Sequence, residues 1–340
     1  MSIVPDPAPH GPEENPGRGE DITDLRGDSF ADGLTTPEET NQPAGAEMRF
    51  AAPGAPESES YFDAYAHRVA APPRFPNIAD VGLMGILLGF GWLLSGAAAA
   101  AALHFHLFGV STEKQAMDDV HYTLGSQAVW YLGSLAAWMM LFPRVWNKGF
   151  FAGLEWRAAS ALRLRWQLFS ASFACFVLAI IDGLLLPGPK EAPIDEVFRL
   201  PGAAWGLVVF GVTLAPFIEE MIFRGFVLPA LCTAWDWSAE RIEHKPAPWP
   251  DEEGKTQWSL PAMAAASLVT SVPFALMHGY QTGYSLGPFV LLMCVSLALC
   301  WVRLSTRSLA ASTLVHACYN LLLFSVMIWS TGGFKHLERM

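Results

Sequence analysis

Seven apolar segments, each close to the length of a membrane-crossing helix, follow one another along most of this 340-residue chain. A helix needs about 20 apolar residues to span the hydrocarbon core of a bilayer. Within that core only helices and closed barrels satisfy their own backbone hydrogen bonds. The segments lie near residues 80–107, 122–142, 165–187, 203–229, 260–280, 285–303 and 308–330. We therefore predict an all-α fold, a polytopic transmembrane bundle of about seven helices.

The charge of the chain is concentrated at its N-terminus. The formal net charge is -11, but residues 1–75 contain 14 acidic and 5 basic side chains, and the rest of the chain is nearly neutral. Residues 1–75 show no helical or strand periodicity and few large apolar side chains, so we predict a disordered acidic tail. The chain has no strongly basic region, and we expect membrane lipid but no nucleic acid among its partners.

The rest of the chain divides into three parts. Residues 76–200 contain the first three predicted transmembrane helices, residues 201–330 contain the last four, and residues 331–340 form a short C-terminal tail. Between the fourth and fifth helices, residues 230–259 include three prolines and the acidic run 251–253, which predicts a solvent-side loop. The five cysteines have no C-x-x-C spacing, so we expect neither a disulfide framework nor a thiolate metal site.

The orientation in the membrane follows from the Lys and Arg residues near the segment ends. Twelve of them, with Arg303 and Arg307 in this group, fall on one side and five on the other. Positive charges collect on the cytoplasmic side of membrane proteins. We predict an integral membrane protein, expected in the bacterial plasma membrane, with a cytoplasmic N-terminus.

The predicted helices contain an unusual set of polar side chains. Glu219 and Glu220 stand in an apolar segment with Arg224 four residues after the second, and two later segments contain His278, and His316 with Asn320. A charge at the centre of a transmembrane helix costs about 2.5 to 3.5 kcal/mol, so such residues are candidates for function.

The spacing of these residues predicts which of them share a helix face. Residues four apart face the same way, so Glu220 can pair with Arg224, whereas Glu219 is turned away by about 100 degrees. The pairs Phe274 with His278 and His316 with Asn320 likewise share faces. By itself, the Glu220–Arg224 pair could be a structural ion pair, and each histidine an interhelical hydrogen bonder. Together they supply a base, imidazoles and neutral donors, which water activation and oxyanion stabilisation require.

Three sequence motifs contain these residues: A-P-F-I-E-E-M-I-F-R-G-F at 215–226, F-A-L-M-H at 274–278 and H-A-C-Y-N at 316–320. In this order they resemble the CPBP family, which comprises the CAAX prenyl endopeptidases and related bacterial bacteriocin-processing and self-immunity proteins. The family motifs are Glu-Glu-x-x-x-Arg, Phe-x-x-x-His and His-x-x-x-Asn, and the similarity covers roughly residues 203–325. The resemblance makes residues 201–330 a CPBP-type catalytic membrane domain.

The resemblance implies an intramembrane endopeptidase that cuts a membrane-associated or CAAX-like peptide. It makes Glu219 the residue that activates water and His278 a residue that holds that water. His316 and Asn320 then stabilise the oxyanion. In supporting roles, Glu220 and Arg224 fix the helix geometry and the charge state of Glu219, and Phe274 lines the cavity.

Some alternatives remain open at this point. We expect no cofactor, but Glu219, His278 and His316 are also a sufficient ligand set for catalytic zinc, so metal dependence is unresolved. The alternative function is a non-proteolytic immunity or scaffold membrane protein that keeps the fold. A transporter is disfavoured because the polar residues form one C-terminal cluster without paired halves.

One feature of the predicted topology works against a shared site. Glu219 lies about two-thirds of the way along its segment, whereas His278 lies at the far end of the next one, so the two side chains differ in predicted depth. Pro273 could bend its helix and bring them together.

Overall fold

The computed structural model describes residues 76–186, 193–200, 202–244 and 257–336. Within these ranges every regular element is a helix and there is no strand, which confirms the all-α prediction. The predicted acidic tail, residues 1–75, lies outside the described residues.

Thirteen α-helices can be followed along the described ranges, and we number them in chain order. Their bounds are α1 Ile78–His104, α2 Glu113–Met117, α3 Val120–Trp146, α4 Phe150–Gly153, α5 Ala158–Arg163, α6 Arg165–Leu185, α7 Pro193–Arg199, α8 Ala203–Val212, α9 Leu214–Glu220, α10 Leu228–Glu243, α11 Leu260–Met277, α12 Leu286–Thr306 and α13 Leu309–Ser330. A short 3₁₀ helix, Leu107–Gly109, follows α1, and a π-helical turn, Met221–Val227, joins α9 to α10.

Seven long helical stretches coincide with the seven predicted segments. Six of them are long and apolar enough to cross a membrane: Ile78–His104, Arg165–Leu185, Ala203–Glu243, Leu260–Met277, Leu286–Thr306 and Leu309–Ser330. The seventh, α3, has 27 residues. It is less apolar than the others because it contains Trp, Tyr, Gln and Ser side chains among its aliphatic ones.

The prediction of a loop at residues 230–259 is wrong for residues 230–243. Helix α10 continues to Glu243 and ends where His244 adopts a left-handed backbone conformation, with φ 54°. Residues 230–243 contain neither Pro nor Gly, so nothing interrupts the backbone hydrogen bonding of the helix. The prolines that indicated a loop come later, in residues 245–256, which lie outside the described residues.

The stretch from Ala203 to Glu243 is not one regular helix. It breaks at Thr213, where ψ is -77°, because Pro216 has no N–H to donate to the carbonyl of Val212. It widens again over residues 221–227, where the N–H of Leu228 bonds to the carbonyl of Phe223, five residues earlier. Pro229 favours this wide turn, since a proline ring crowds the carbonyl four residues before it.

The π turn is packed into the interior from two sides. On one side α1 runs along α3, and the indole N–H of Trp138 donates to the carbonyl of Met84 over 3.2 Å. Phe226 of the π turn stacks among the rings of this layer, 4.8 Å from Phe142 and 5.7 Å from Trp146. On the other side lie α12 and α13, which also pack on α6. The interior therefore holds the turn that follows the two glutamates.

Candidate active site

Glu219 and Glu220 are the last two residues of α9 and differ in exposure. Glu220 is completely buried, whereas 8% of the surface of Glu219 remains exposed. Their side chains point in different directions, as the 100° turn between successive helical residues predicts, and His316 lies within reach of both. Glu219 is therefore the one of the pair that solvent or a substrate can reach.

Glu220 lies between Arg224 and His316. Its Oε1 accepts a hydrogen bond from Arg224 Nη1 over 2.8 Å and lies 3.1 Å from His316 Nδ1. The i,i+4 pair remains close although Arg224 belongs to the π turn. Because one carboxylate oxygen meets both groups, Glu220 links the first motif to the third as well as pairing with Arg224.

Arg224 is also completely buried and makes contacts beyond Glu220. Its Nη2 donates to the carbonyl and to the hydroxyl of Ser296 on α12, over 3.0 and 2.7 Å. Its guanidinium carbon lies 4.4 Å above the ring of Phe274, and Phe274 also contacts His278 and His316 at ring distances of 5.0 and 5.8 Å. Phe274 is thus a packing centre between the cation and the two imidazoles.

Both histidines reach Glu219. The Nε2 atoms of His278 and His316 each lie 3.8 Å from Glu219 Oε2. The segment boundaries predicted that Glu219 and His278 lie at different depths, but the two side chains are close in the structure. Helix α11 continues through Pro273, and His278 is the cap residue at its C-terminal end. The three motifs therefore meet at one carboxylate oxygen.

The second nitrogen of each imidazole determines which atom faces Glu219. His278 Nδ1 lies 2.9 Å from the carbonyl of Phe274, which can only accept, so Nδ1 donates there. His316 Nδ1 donates in the same way to the ionised carboxylate of Glu220. In a neutral ring the facing Nε2 then has a free lone pair, and in an imidazolium it has a proton.

Asn320 has a different partner from the other predicted residues. Its Nδ2 donates to the carbonyl of Gly211 over 2.8 Å, just before the break at Thr213. The side-chain amide nitrogen has two hydrogens, so this bond leaves one available. The contact attaches α13 to the end of α8, one turn along from His316.

Two contacts of this site were not predicted from the sequence. The bond from Arg224 to Ser296 was missed because a lone serine in an apolar helix usually bonds to its own helix backbone. The contact between Glu220 and His316 was missed because spacing along one helix says nothing about a partner on another. The complete burial of Ser296 is visible only in the folded chain.

An apolar groove of about 600 Å³ is lined in part by the helices that contain Glu219 and His316. Phe217 on α9, two residues before Glu219, lines it together with Ala317 on α13, the neighbour of His316. Trp156, Leu162 and Leu314 are among the other lining residues. The groove is a surface suited to an aliphatic or aromatic group, and its lining does not include Glu219 or the imidazoles.

Glu219, His278 and His316 are residue types that bind zinc, and a zinc site also requires their donor atoms to surround one point. Among the described residues, no group of three or more His, Cys, Asp and Glu side chains has the arrangement of metal ligands.

Apolar helices of membrane-spanning length around a buried polar cluster define an integral membrane protein with its candidate site inside the helical bundle. Residues 201–322 of this chain match the family model described as Type II CAAX prenyl endopeptidase Rce1-like. The match covers about a third of the chain, contains all three motifs and confirms the resemblance to the CPBP family. At the level of the family, this region is similar to CAAX-type intramembrane proteases, which are hydrolases. No curated protein and no solved structure matches the chain.

Proposed function

We propose that this protein is an intramembrane endopeptidase that hydrolyses a peptide bond of a membrane-associated or CAAX-like substrate, with Glu219 as general base. The observation that supports the proposal most directly is the approach of His278 Nε2 and His316 Nε2 to the same oxygen of Glu219, each at 3.8 Å. That separation is too long for a direct hydrogen bond and short enough for one water molecule to bridge.

The first step is the activation of water. Neutral His278, with its Nδ1 proton on the Phe274 carbonyl, accepts one hydrogen bond from the water at Nε2. Glu219 accepts the other, so the lone pairs of the water oxygen point away from both and toward a substrate carbonyl. Transfer of the second proton to the Glu219 carboxylate leaves a hydroxide equivalent that attacks the carbonyl carbon.

The attack produces a tetrahedral intermediate with negative charge on the former carbonyl oxygen. In its imidazolium form His316, held at Nδ1 by Glu220, has an Nε2 proton to donate to that oxygen. The remaining N–H of Asn320 is the second donor in this proposal. With His316 protonated, the buried cluster of two glutamates, one arginine and one imidazolium carries no net charge, which favours its burial.

The intermediate collapses when the carbon–nitrogen bond breaks. Glu219 returns the proton it took from water to the leaving nitrogen, and the products are a carboxylic acid and an amine, which then exchange a proton to give a carboxylate and an ammonium group. Glu219 is thereby ready for another turnover. The residues thus balance the hydrolysis of one peptide bond by one water molecule.

The apolar groove supports a membrane-associated substrate. Its lining is apolar apart from a few groups such as the hydroxyls of Thr213 and Thr313, so an aliphatic or aromatic part of a substrate gains free energy there. Phe217 and Ala317 of the lining are close in sequence to Glu219 and His316. In this proposal an apolar part of the substrate occupies the groove while its peptide bond reaches Glu219.

The proposed function is tested by cleavage of membrane-anchored peptides. The purified protein in lipid vesicles is incubated with a set of such peptides, some of which end in a CAAX-like sequence, and the products are weighed by mass spectrometry. We expect two fragments whose masses sum to the substrate plus one water. Absence of any new fragment across the set, with correctly folded protein, would refute the proposal.

The alternative function, a non-proteolytic immunity or scaffold protein, makes the opposite prediction. In that case a gene carrying Glu219→Gln restores the normal phenotype to cells in which the native gene has been deleted. A gene with substitutions that disrupt helix packing does not. A proteolytic function requires loss of complementation by the Gln variant when that variant is inserted in the membrane at the normal amount.

Activity should not depend on a bound metal ion. Because Glu219 and His278 suffice to activate water in this proposal, we expect the rate of peptide cleavage to stay within about twofold after extended dialysis against EDTA and 1,10-phenanthroline. Elemental analysis of the dialysed protein checks that metal has been removed. A large loss of activity that added zinc restores would instead make Glu219, His278 and His316 metal ligands.

A further inference from the structure

A second buried arginine, Arg303, lies close to the π turn but outside the three motifs. It is near the C-terminal end of α12 and only 2% exposed. A buried guanidinium requires partners that compensate for its lost hydration. Arg303 is one of the twelve basic residues that predict the cytoplasmic side, and without it that side still has eleven against five.

One partner of the Arg303 guanidinium is a backbone carbonyl that accepts no helical hydrogen bond in the π turn. The N–H of Leu228 bonds to Phe223, and the next residue, Pro229, has no N–H, so neither reaches the carbonyl of Arg224. Arg303 Nε donates to that carbonyl over 3.2 Å. Arg303 therefore supplies a backbone hydrogen bond that the widened helix cannot make for itself.

The other end of the guanidinium is anchored on the segment before α5. Arg303 Nη1 forms an ion pair with Glu155 Oε2 at 2.9 Å, and Nη2 approaches the carbonyl of Leu154 at 3.5 Å. Glu155 has a left-handed backbone conformation with φ 54°, which is costly for a residue with a side chain. The ion pair helps to hold it there.

Glu155 also contacts the helix that contains His316. Its carbonyl accepts from the N–H of Leu309, the first residue of α13, over 3.1 Å. The same Leu309 is packed against Gly225 of the π turn, where an added Cβ would lie 3.3 Å from its side chain. Glu155 and Arg303 thus tie the turn after the glutamates to the start of the helix with the imidazole.

We propose that Glu155 and Arg303 are positioning residues that hold the π turn and α13 in register, so that Glu219 and Glu220 stay aligned with His316. Neither residue contacts Glu219 or the imidazoles, so their effect on catalysis is transmitted through the backbone of residues 221–227. The proposal rests on the proposed endopeptidase function for its kinetic consequence. Its structural part, the clamping of the π turn, can be measured separately.

The experiment compares Arg303→Lys with Arg157→Lys. A lysine at 303 keeps the charge but lacks the planar fork, so it cannot bond to Glu155 and the Arg224 carbonyl together. Arg157 is the matched control, because it also pairs with Glu155, at 3.3 Å, but bonds to no residue of the π turn. For each purified variant, kcat and KM for a cleaved peptide are measured, together with hydrogen exchange of the 221–228 amides.

For Arg303→Lys we expect kcat to fall by about 10- to 100-fold with KM within about threefold, since a small displacement of catalytic groups slows chemistry more than binding. The 221–228 amides should exchange faster, while Arg157→Lys stays near the unsubstituted protein in both measurements. If Arg303→Lys does not fold, Glu155→Gln is judged by the same criteria, because it removes the ion pair that holds Arg303 against the π turn.

The positioning role is overturned if the folded variant has normal kcat and normal exchange, or if Arg157→Lys loses as much activity. It is also overturned if kcat falls without faster exchange at 221–228. If the unsubstituted protein cleaves no peptide, the proposed function fails, and the exchange measurement alone then decides whether Arg303 clamps the turn.

Discussion

Substitution of Glu219 with Gln should lower the rate of peptide cleavage by about 100-fold or more while the protein still folds. Gln has nearly the same size but cannot take a proton from water, so the step that produces the hydroxide equivalent is lost. The measurement is the initial rate with a saturating peptide in lipid vesicles. Within the described residues Glu219 has no arginine partner comparable to that of Glu220, so we expect the substitution to change the unfolding midpoint little.

Glu113→Gln is the matched control for this variant. Glu113 is exposed at the start of α2, far along the chain from the motifs, and the same change there removes the same charge. We expect a normal rate. A Glu219→Gln protein that cleaves within about threefold of the normal rate would leave the general base unassigned and favour a different role for the carboxylate. If it binds substrate without cleaving it, the same variant can also trap and identify the natural substrate.

Substitution of Arg224 with Met should produce the largest loss of stability among the site residues, about 3 to 5 kcal/mol. Both side chains of the Glu220–Arg224 pair are completely buried, and removal of the cation leaves a carboxylate in the interior without its main charge partner, beside His316 and Ser312. The bonds to Ser296 are lost as well. The free energy of unfolding in mixed detergent micelles is the quantity to measure.

The double variant Glu220→Gln with Arg224→Met separates charge from packing. Because it removes both charges at once, we expect it to regain more than half of the stability that the single variant loses. Arg241→Met is the control for loss of an arginine, since Arg241 is exposed on α10 and stacks on Trp237. A change below about 1 kcal/mol for Arg224→Met would mean that Glu220 is stabilised by other groups.

The motif residues illustrate what local spacing can predict. Glu220 and Arg224 were expected to pair because i,i+4 neighbours share a helix face, and they do so at 2.8 Å even though the helix widens between them. The π turn itself was not predicted, because it depends on how Pro229, Phe226 and Arg303 are accommodated by neighbouring helices. The helix propensity of a single segment does not depend on those contacts.

Arg303, a charged residue outside the motifs, shows more clearly what cannot be predicted from local spacing. Arg303 lies at a segment end, and the sequence placed it only in the predicted cytoplasmic group of basic residues. In the folded chain it is buried against Glu155, which lies about 150 positions earlier in the sequence. No periodic pattern relates two such residues, so only the packing of α12 against the segment before α5 could reveal the pair.

The sequence by itself determined that this chain forms apolar helices of membrane-spanning length and that its ionisable residues in three of them are candidates for one site. Both conclusions follow from the cost of exposing backbone and charge to hydrocarbon, which acts on every segment separately. Only the tertiary structure decided that Glu219 faces both imidazoles, that Glu220 holds His316, and that Arg303 supports the π turn. These contacts join residues far apart in the chain, and their distances are set by helix packing rather than by any local preference.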